Sequence, residues 1–313
     1  MDTDGEPKPD FPQFFPGFRK LTVAAGGVRF RGVVGGAGPA VLLLHGYPQT
    51  HVAWRYVAPR LADAFTVVVP DLPGYGDSVT QSSMPRWTKR RVSHALIEMM
   101  DSLGHSRFSV VGHDRGARVG YRLALDHPAR AAAFASLTVA PTLDAWATVD
   151  KAFAMTAPRW FMLAQPMDLP ERMLSFDPDG FLNATLDKMA GGLSRIEPAA
   201  LDAYRAAFRR PSVRHAICED YRAAAGEDAA HEATDRAAGR KLACPVLALW
   251  PERRGRDGQP TFIDVWRRWA DDVSGVSIPG GHLQAEESPQ QVLAQLLPFL
   301  AHAHARAVER TEV

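Results

Sequence analysis

The candidate nucleophile in this sequence of 313 residues is an aspartate in a tight turn. The segment Val110–Gly116 (VVGHDRG) joins an apolar run to a helical pattern through a Gly-x-Asp-x-Gly turn. A strand–turn–helix of this form exposes a nucleophilic side chain above a sheet, usually a serine at the position of Asp114. Aspartate in such a turn more often caps the helix. The order of its partners along the chain favours a nucleophile.

A histidine and a loop supply the other groups that such a nucleophile needs. His282 ends the segment PGGH after the last apolar run, and a histidine that comes last in chain order is the general base in this arrangement. The loop His45–Pro48 follows another apolar run and offers the backbone N–H of Tyr47 as an oxyanion donor. The N–H of Arg115 is predicted as the second donor.

Short β-type runs alternate with longer helical patterns along most of the chain. The middle runs are continuously apolar, which is typical of parallel strands buried on both faces. Helix signals include Thr88 before a pattern that stops at Gly104, and Ser288 followed by proline. We therefore predict a mostly parallel, doubly wound α/β sheet. The predicted strands are Val28–Val34, Ala40–Leu44, Thr66–Val69, Phe108–Gly112, Phe134–Val139, Val246–Trp250 and Val276–Ile278.

The alternation stops between about Pro141 and Ala238. This stretch contains helical patterns such as Glu197–Arg210 and Ser212–Ala225, and no convincing strand. An insertion between two strands lies over the carboxyl edge of the sheet, where open α/β sheets bind ligands. We therefore predict an all-helical cap over residues 140–238. It divides a core of residues 18–139 and 239–302, with tails at residues 1–17 and 303–313.

Composition excludes several classes of partner. The formal net charge is +1 with mixed signs, which does not favour nucleic acid or an anionic membrane. No apolar run is long enough to span a bilayer, and the acidic, proline-rich N-terminus is no secretory signal. Cys218 and Cys244 are predicted to be buried free thiols. We expect a cytoplasmic protein that binds a small-molecule substrate, with no metal and no organic cofactor.

Six motifs are distributed over the chain: HGYPQ, DLPGYGDS, GHDRGARVGYRLALDHP, QP at Gln165–Pro166, DYRA at Asp220–Ala223 and PGGH. This set resembles the fluoroacetate (haloacetate) dehalogenases from about residue 18 to residue 300. They are α/β-hydrolase-fold enzymes with an aspartate nucleophile, a group that also includes haloalkane dehalogenases and epoxide hydrolases. The resemblance implies that Asp114 is the nucleophile and His282 the base. It also implies a helical cap and a homodimer.

The same resemblance assigns the substrate pocket. Arg115 and Arg118 fall on two arginines that hold the substrate carboxylate. Trp160 and Tyr221 match a pair that grips the departing halide, and such a pair can also hold an epoxide oxygen. Both arginines lie in the first turn of a helix, where the dipole disfavours cations unless an anion binds there through bidentate contacts. The alternative is that they neutralise Asp114 or bridge to the cap.

Two departures from the family pattern concern catalysis. Arg159 stands where the dehalogenases carry a histidine that donates to the halide. It is either a charged donor or a residue that reshapes the pocket. The acid that orients the base is also missing, because Thr138 and Arg254 occupy its two usual positions. Glu252 and Asp257 are the candidate substitutes. Losing this acid lowers kcat about 10⁴-fold in serine triads.

The sequence thus predicts a two-step hydrolysis. Asp114 displaces a leaving group from an sp³ carbon, and water activated by His282 then hydrolyses the ester. The first substrate class is a small halogenated carboxylic acid, with cleavage of its carbon–halogen bond. Epoxide hydrolysis by the same pair is the alternative. A non-catalytic ligand-binding protein on this scaffold is a second alternative, favoured by the vacant acid positions.

Overall fold

A single mixed sheet forms the centre of the fold. The fold is that of a computed structural model, which describes residues 13–252 and 261–309. Within these residues nine strands belong to the sheet. They are β1 (Arg19–Ala25), β2 (Val28–Gly35), β3 (Ala40–Leu44), β4 (Thr66–Pro70), β5 (Val79–Thr80), β6 (Phe108–His113), β7 (Ala131–Leu137), β8 (Val246–Pro251) and β9 (Val273–Ile278). The strand order is β1-β2-β4-β3-β6-β7-β8-β9, and β5 pairs with β2.

The sheet is antiparallel at one edge and parallel elsewhere. β2 pairs antiparallel with β1 and β4. From β4 through β3, β6, β7 and β8 to β9, all neighbours are parallel. Every residue of β3 and β6 is buried, as expected for strands covered on both faces. The predicted doubly wound, mostly parallel α/β fold is confirmed.

Some predicted strand boundaries were wrong. β7 starts and ends earlier than the strand predicted at Phe134–Val139. The chain leaves the strand direction at Thr138, whose φ is 71°. β9 starts earlier than predicted. Its first residues are partly exposed and form no apolar run, so the sequence pattern did not include them. The sequence pattern does not reveal β1, an edge strand with one buried residue, or β5, which has two residues.

Helices outside the insertion flank the sheet. The two helix starts predicted from the capping residues Thr88 and Ser288 are confirmed. Thr88 precedes helix α2 (Lys89–Ser102), and its hydroxyl accepts a hydrogen bond from the N–H of Arg91 at 3.3 Å. The last helix begins at Pro289. No helix of the described residues is long and apolar enough to cross a membrane. These helices are α1 (Ala58–Leu61), α2 (Lys89–Ser102), α3 (Arg115–Asp126), α12 (Phe262–Trp266), α13 (Gln284–Glu287) and α14 (Pro289–Glu309).

Between β7 and β8 the chain, which is fully described here, forms helices and no strand. These are α4 (Thr142–Ala147), α5 (Lys151–Thr156), α6 (Arg159–Met162), α7 (Leu169–Phe176), α8 (Pro178–Ala190), α9 (Pro198–Phe208), α10 (Pro211–Ala225) and α11 (Glu227–Ala237). The patterns predicted at Glu197–Arg210 and Ser212–Ala225 correspond to α9 and α10. Both begin with proline, which suits the first helical position. A separate domain with boundaries at residues 140 and 238 stays a prediction.

The two cysteines are structural thiols, as predicted. Cys218 and Cys244 are both free and buried. Burial raises the pKa of each thiol to about 12, so neither offers a thiolate near neutral pH.

Two phenylalanines test how much the core contributes to stability. Phe134 in β7 is 0% exposed, and its ring lies 5.6 Å from that of Trp266, whereas Phe176 is 94% exposed. Phe134→Ala should lower the free energy of unfolding by about 3–5 kcal/mol because it leaves a cavity. The control Phe176→Ala should change it by less than about 0.5 kcal/mol. Urea unfolding followed by tryptophan fluorescence measures both, and equal losses would contradict this view of the core.

Candidate active site

The bend between β6 and α3 fixes the position of Asp114. Its φ is 49°, in the left-handed region that non-glycine residues rarely adopt. Its neighbours have no room for a side chain. A Cβ on Gly112 would collide with Ala117, and one on Gly116 with the carbonyl oxygen of Leu44. The strained bend persists because close backbone packing surrounds it.

Two hydrogen bonds occupy the Asp114 carboxylate. Oδ1 accepts from the backbone N–H of Tyr47 at 3.0 Å, and Oδ2 lies 3.2 Å from Nε2 of His282. The residue is 5% exposed. Burial alone would raise the pKa of Asp114, but the hydrogen bond and electrostatic interaction with His282, together with Arg115, hold it well below its usual value. The carboxylate is therefore ionised near neutral pH.

The loop after β3 lies against the bend, because β3 and β6 are neighbouring parallel strands. A Cβ on Gly46 would meet the Cβ of Asp114, so the loop can approach only without a side chain there. The structure thus brings the predicted donor Tyr47 to the carboxylate. Arg115 is the first residue of α3, and within the described residues its N–H forms no hydrogen bond with the Asp114 side chain. Its role in an oxyanion hole stays a prediction.

His282 follows β9 and is held through its backbone. Its N–H donates to the carbonyl oxygen of Met189 at 3.0 Å, and its own carbonyl oxygen lies 2.7 Å from Nε2 of His113. Burial and the neighbouring His282 lower the pKa of His113 to about 4, so this ring is neutral and its Nε2–H donates. The sequence analysis did not identify His113 as a residue that positions the base. Its location inside the bend motif was the available signal.

The acid that would orient His282 is not found among the described residues. The carboxylate of Glu252 is exposed and forms no hydrogen bond with His282 in that part of the chain. Asp257 and Arg254 lie outside the described residues. Glu252 is therefore not in place as a substitute acid in this structure.

Thr138 occupies the acid position with unfavourable geometry. Its φ of 71° is strained for a β-branched residue. Its hydroxyl is buried and has no hydrogen-bond partner within the described residues. A buried unpaired hydroxyl costs about 1–3 kcal/mol. Aspartate tolerates the left-handed region better than threonine, so the local backbone would suit an acid there.

Arg115 is already paired. Its Nε and Nη2 each lie 2.8 Å from an oxygen of the Asp220 carboxylate, and Nη2 also donates to the Asp220 carbonyl oxygen at 2.6 Å. Nη1 is buried and has no partner in the described chain. Asp220 therefore occupies the fork of Arg115, as in the predicted alternative of a bridge to the cap, and the contact of Arg115 with a substrate carboxylate stays a prediction. The sequence analysis missed Asp220, although it lies within the DYRA motif.

Arg118 is a buried cation with no ion pair among the described residues. Nη1 donates to the Thr142 hydroxyl at 2.9 Å, and Nε has no hydrogen-bond partner there. Its guanidinium carbon lies 4.8 Å from the ring centroid of Trp160. Burial and the nearby Arg115 lower the pKa of Arg118 to about 10. It remains charged near neutral pH, so its charge is available to an anion.

Arg159 is a second cation without an ion pair in the part of the chain that the structure describes, and it is partly buried. Its buried Nε has no hydrogen-bond partner there. Burial opposes its charge, but the neighbouring Tyr221 and Asp114 together raise the pKa of Arg159. The position predicted for a halide donor is therefore permanently positive.

The aromatic residues connect these groups. The Tyr221 ring packs edge-on against Tyr47 at 5.4 Å and Trp160 at 6.4 Å, and the Arg115 guanidinium lies 4.2 Å from its centroid. Burial raises the pKa of Tyr221 to about 12, so it is a neutral donor. The structure thus brings the predicted pocket residues Trp160, Tyr221 and Arg159 towards the nucleophile.

Another cluster has the composition of a metal site. Ligand atoms of Glu171, His215 and Glu219 lie within 4.8 Å of one another. Arg222 donates to both carboxylates, at 2.7 Å to Glu171 and 2.6 Å to Glu219. Arg86 also pairs with Glu219 at 2.7 Å, so arginines already pair with both carboxylates, and the cluster is separate from the contacts around Asp114.

The loop of Tyr47, the bend at Asp114 and His282 follow parallel strands of one sheet in the predicted chain order. The chain matches the alpha/beta hydrolase fold family over residues 39–250, and it belongs to this family.

Its relatives are dehalogenases and epoxide hydrolases. The chain is 36% identical to a fluoroacetate dehalogenase from Burkholderia sp, over 95% of this chain and 98% of the relative. It is 30% identical to a soluble epoxide hydrolase from Corynebacterium sp. strain C12, over 88% of this chain and 94% of the relative. The chain is therefore an enzyme, a hydrolase of the dehalogenase and epoxide hydrolase type.

A solved structure from Pseudomonas aeruginosa, of a protein named as a candidate epoxide hydrolase, is also similar. A threonine-to-aspartate mutant of it was solved with bound MFA. Identity is 52% and the TM-score is 0.90, with 93% of this chain and 98% of that chain covered.

Glu232, an acid that the sequence pattern did not single out, lies in α11 close enough to Arg118 for their charges to interact. It accepts a hydrogen bond from the N–H of Leu143 at 2.6 Å. Burial raises its pKa from 4.5 to about 7, against the opposing charge of Arg118. Because the protonated form is favoured in the folded state, its contribution to stability is complete below pH 4.5 and is lost as the pH rises to about 7.

Glu232→Gln removes this titration and keeps an acceptor for Leu143. The free energy of unfolding of the variant minus that of the parent should rise by roughly 3 kcal/mol from pH 5 to pH 8. Urea unfolding of both proteins at the two pH values measures the change. An identical stability difference at both values would contradict the raised pKa.

Proposed function

We propose that the enzyme hydrolyses a small halogenated carboxylic acid through an ester on Asp114. The observation that supports it most is that the buried Arg118 and the partly buried Arg159 lie near Asp114 without ion pairs in the described chain. Buried cations without partners are strongly destabilising, so such a pocket favours an anionic ligand. A substrate carboxylate supplies the missing charge.

Charge balance favours a leaving group that departs as an anion. The Arg115–Asp220 pair is neutral, so Arg118 and Arg159 face the single charge of Asp114, and a monoanionic substrate balances the remainder. Once Asp114 becomes a neutral ester, the bound carboxylate and the released halide balance the two guanidiniums. An epoxide oxygen instead stays on the product and needs a proton, which arginine does not supply.

In the first step, Oδ2 of Asp114 attacks the carbon that bears the halogen. The carbon–oxygen bond forms as the carbon–halogen bond breaks, and the halide leaves with the bonding pair towards Arg159, Trp160 and Tyr221. Oδ1 remains bonded to the N–H of Tyr47 and becomes the carbonyl oxygen of the ester. This covalent step replaces one difficult displacement by two easier reactions.

In the second step, Nε2 of His282 removes a proton from water, and the resulting hydroxide adds to the carbonyl carbon of Asp114. The negative charge develops on Oδ1, where the N–H of Tyr47 already donates. Collapse breaks the bond from that carbon to the alkoxy oxygen, which takes the proton from His282. The product alcohol carries the original Oδ2, and Asp114 retains an oxygen from water.

Relatives support this reaction from outside the site. The Burkholderia relative is a fluoroacetate dehalogenase, and the Pseudomonas mutant holds MFA. That mutant replaces a threonine by aspartate. In this chain Thr138 stands in the acid position, so the same kind of replacement would supply the missing acid.

Epoxide hydrolysis is the second candidate. Tyr221 and Trp160 are neutral donors close to Asp114, and such donors suit an epoxide oxygen. Epoxide hydrolases are also among the relatives. Halide release from chloroacetate, measured beside diol formation from an aryl epoxide, separates the two functions.

A single turnover in heavy-oxygen water tests the nucleophile. We expect the label in the carboxylate of Asp114, because hydroxide attacks its carbonyl carbon, and no label in the product alcohol. Mass spectrometry of the Asp114 peptide and of the product measures both. Label found only in the product would mean that water attacks the substrate directly.

Thr138→Asp should raise kcat for chloroacetate by about tenfold or more, because a carboxylate beside the base stabilises the imidazolium of the second step. The matched control is Thr138→Asn, which has the same shape without the charge and should leave kcat near that of the parent. Steady-state halide release measures both. Equal rates in all three proteins would contradict a vacant acid position.

A further inference from the structure

Asp220 connects the helical insertion to the core at the substrate-binding arginine. It lies in α10, and Arg115 is the first residue of α3, next to the nucleophile. We propose that Asp220 is a positioning residue, which fixes Arg115 so that only its Nη1 amino group is presented to the substrate carboxylate. This inference rests on the proposed function, because it concerns recognition of the same substrate group.

The contacts of Asp220 are specific and buried. Oδ2 accepts from Nε of Arg115 and from the hydroxyl of Tyr75, both at 2.8 Å, and Oδ1 accepts from Nη2 of Arg115 at 2.8 Å. Lys89 also donates to Oδ1. Two donor positions of Arg115 are thereby occupied, and its buried Nη1 is left without a partner among the described residues.

This arrangement defines how a carboxylate is bound. With the fork of Arg115 occupied, Arg115 offers one contact through Nη1. Arg118 offers its Nε, which also has no hydrogen-bond partner in the described chain. Arg115 therefore contributes its Nη1 group alone, and the carboxylate bridges the two arginines. The geometry of this bridge depends on Asp220, because its hydrogen bonds hold the Arg115 guanidinium in one orientation.

The charge of Asp220 is permanent. Burial alone would raise its pKa, but Arg115 and Lys89 hold the pKa well below its usual value. Lys89 also contacts Asp228, with its backbone N–H 2.8 Å from Oδ1 and its ammonium 3.4 Å from Oδ2. The two acids therefore balance Arg115 and Lys89, and the positive charge that attracts the substrate comes from Arg118 and Arg159.

Packing alone does not hold this network. A cavity of about 290 Å³ borders it, and Tyr75, Lys89 and Asp220 are among its lining residues, with Val213 and Ala216. Native interiors contain few voids larger than a water molecule, so side chains next to such a cavity have room to change rotamer. Hydrogen bonds to the Asp220 carboxylate, together with the Tyr221 ring that lies 4.2 Å from its guanidinium, then orient Arg115.

Asp228→Asn is the matched control for Asp220→Asn, because both acids contact Lys89 and only Asp220 contacts Arg115. Acetate, an inert carboxylate, is titrated into each protein and the Kd is measured by calorimetry. Asp220→Asn should weaken acetate binding by about tenfold or more, since one oriented charged donor is lost. Asp228→Asn should bind acetate like the parent. Equal weakening in both variants would overturn the proposal.

Kinetics add a readout that a merely structural role would not move. Asp220→Asn should raise KM for chloroacetate with a smaller effect on kcat, and should leave KM for the neutral chloroacetamide unchanged. Asp220→Glu should restore part of the preference for the acid. Loss of the same factor on both substrates would overturn the proposal. If Asp220→Asn does not fold, Tyr75→Phe removes one hydrogen bond to Oδ2 and should raise the same KM by a smaller factor.

The two hypotheses fail separately. Acetate binding that depends on Asp220, in a parent enzyme that releases no halide, would reject the proposed reaction and keep the positioning role. Halide release with acetate affinity independent of Asp220 would reject the positioning role and keep the reaction.

Discussion

Two hydrogen bonds to one buried carboxylate, that of Asp114, hold the site together. The N–H of Tyr47 binds Oδ1 of Asp114, and His282 lies against Oδ2. The hydrogen bond with His282 and the nearby positive charge outweigh the cost of burial and keep the group ionised. The two contacts also distinguish its oxygens, because Oδ1 is held by a backbone donor and Oδ2 lies against the His282 ring. The left-handed bend, the glycines around it and the loop after β3 all serve to bring these three groups together.

The charges around this carboxylate suggest how a substrate is selected. Asp220 neutralises Arg115, whereas Arg118 and Arg159 form no ion pair in the described residues. A pocket with two uncompensated guanidiniums and one ionised nucleophile is close to neutral when a monoanion binds. In the proposed reaction, the same charges accommodate a halide after Asp114 has become an ester. The arginine at position 159 thus connects binding with the proposed leaving group, which a neutral histidine would do less strongly.

Local pattern was sufficient to predict the parallel sheet, the bend at Asp114 and the approach of Tyr47 and His282 to it, because a buried strand followed by a glycine-rich turn leaves a specific signature. Local pattern did not predict side-chain partners that lie far apart in the chain. The fork of Arg115 is filled by Asp220, more than one hundred positions away in the chain, and no spacing rule reports such a pair. β7 ends before its apolar run does because Thr138 turns the backbone. The support of His282 by His113 likewise depends on tertiary contact.

Trapping the covalent intermediate tests the central claim most directly. His282→Gln removes the base of the second step and leaves the nucleophile, so the ester should accumulate when this variant is mixed with chloroacetate. Peptide mass spectrometry should then find the segment containing Asp114 heavier by one carboxymethyl group, and the same segment unchanged in Asp114→Asn. An unmodified Asp114 peptide, in a variant that has nevertheless released one halide per site, would contradict the account.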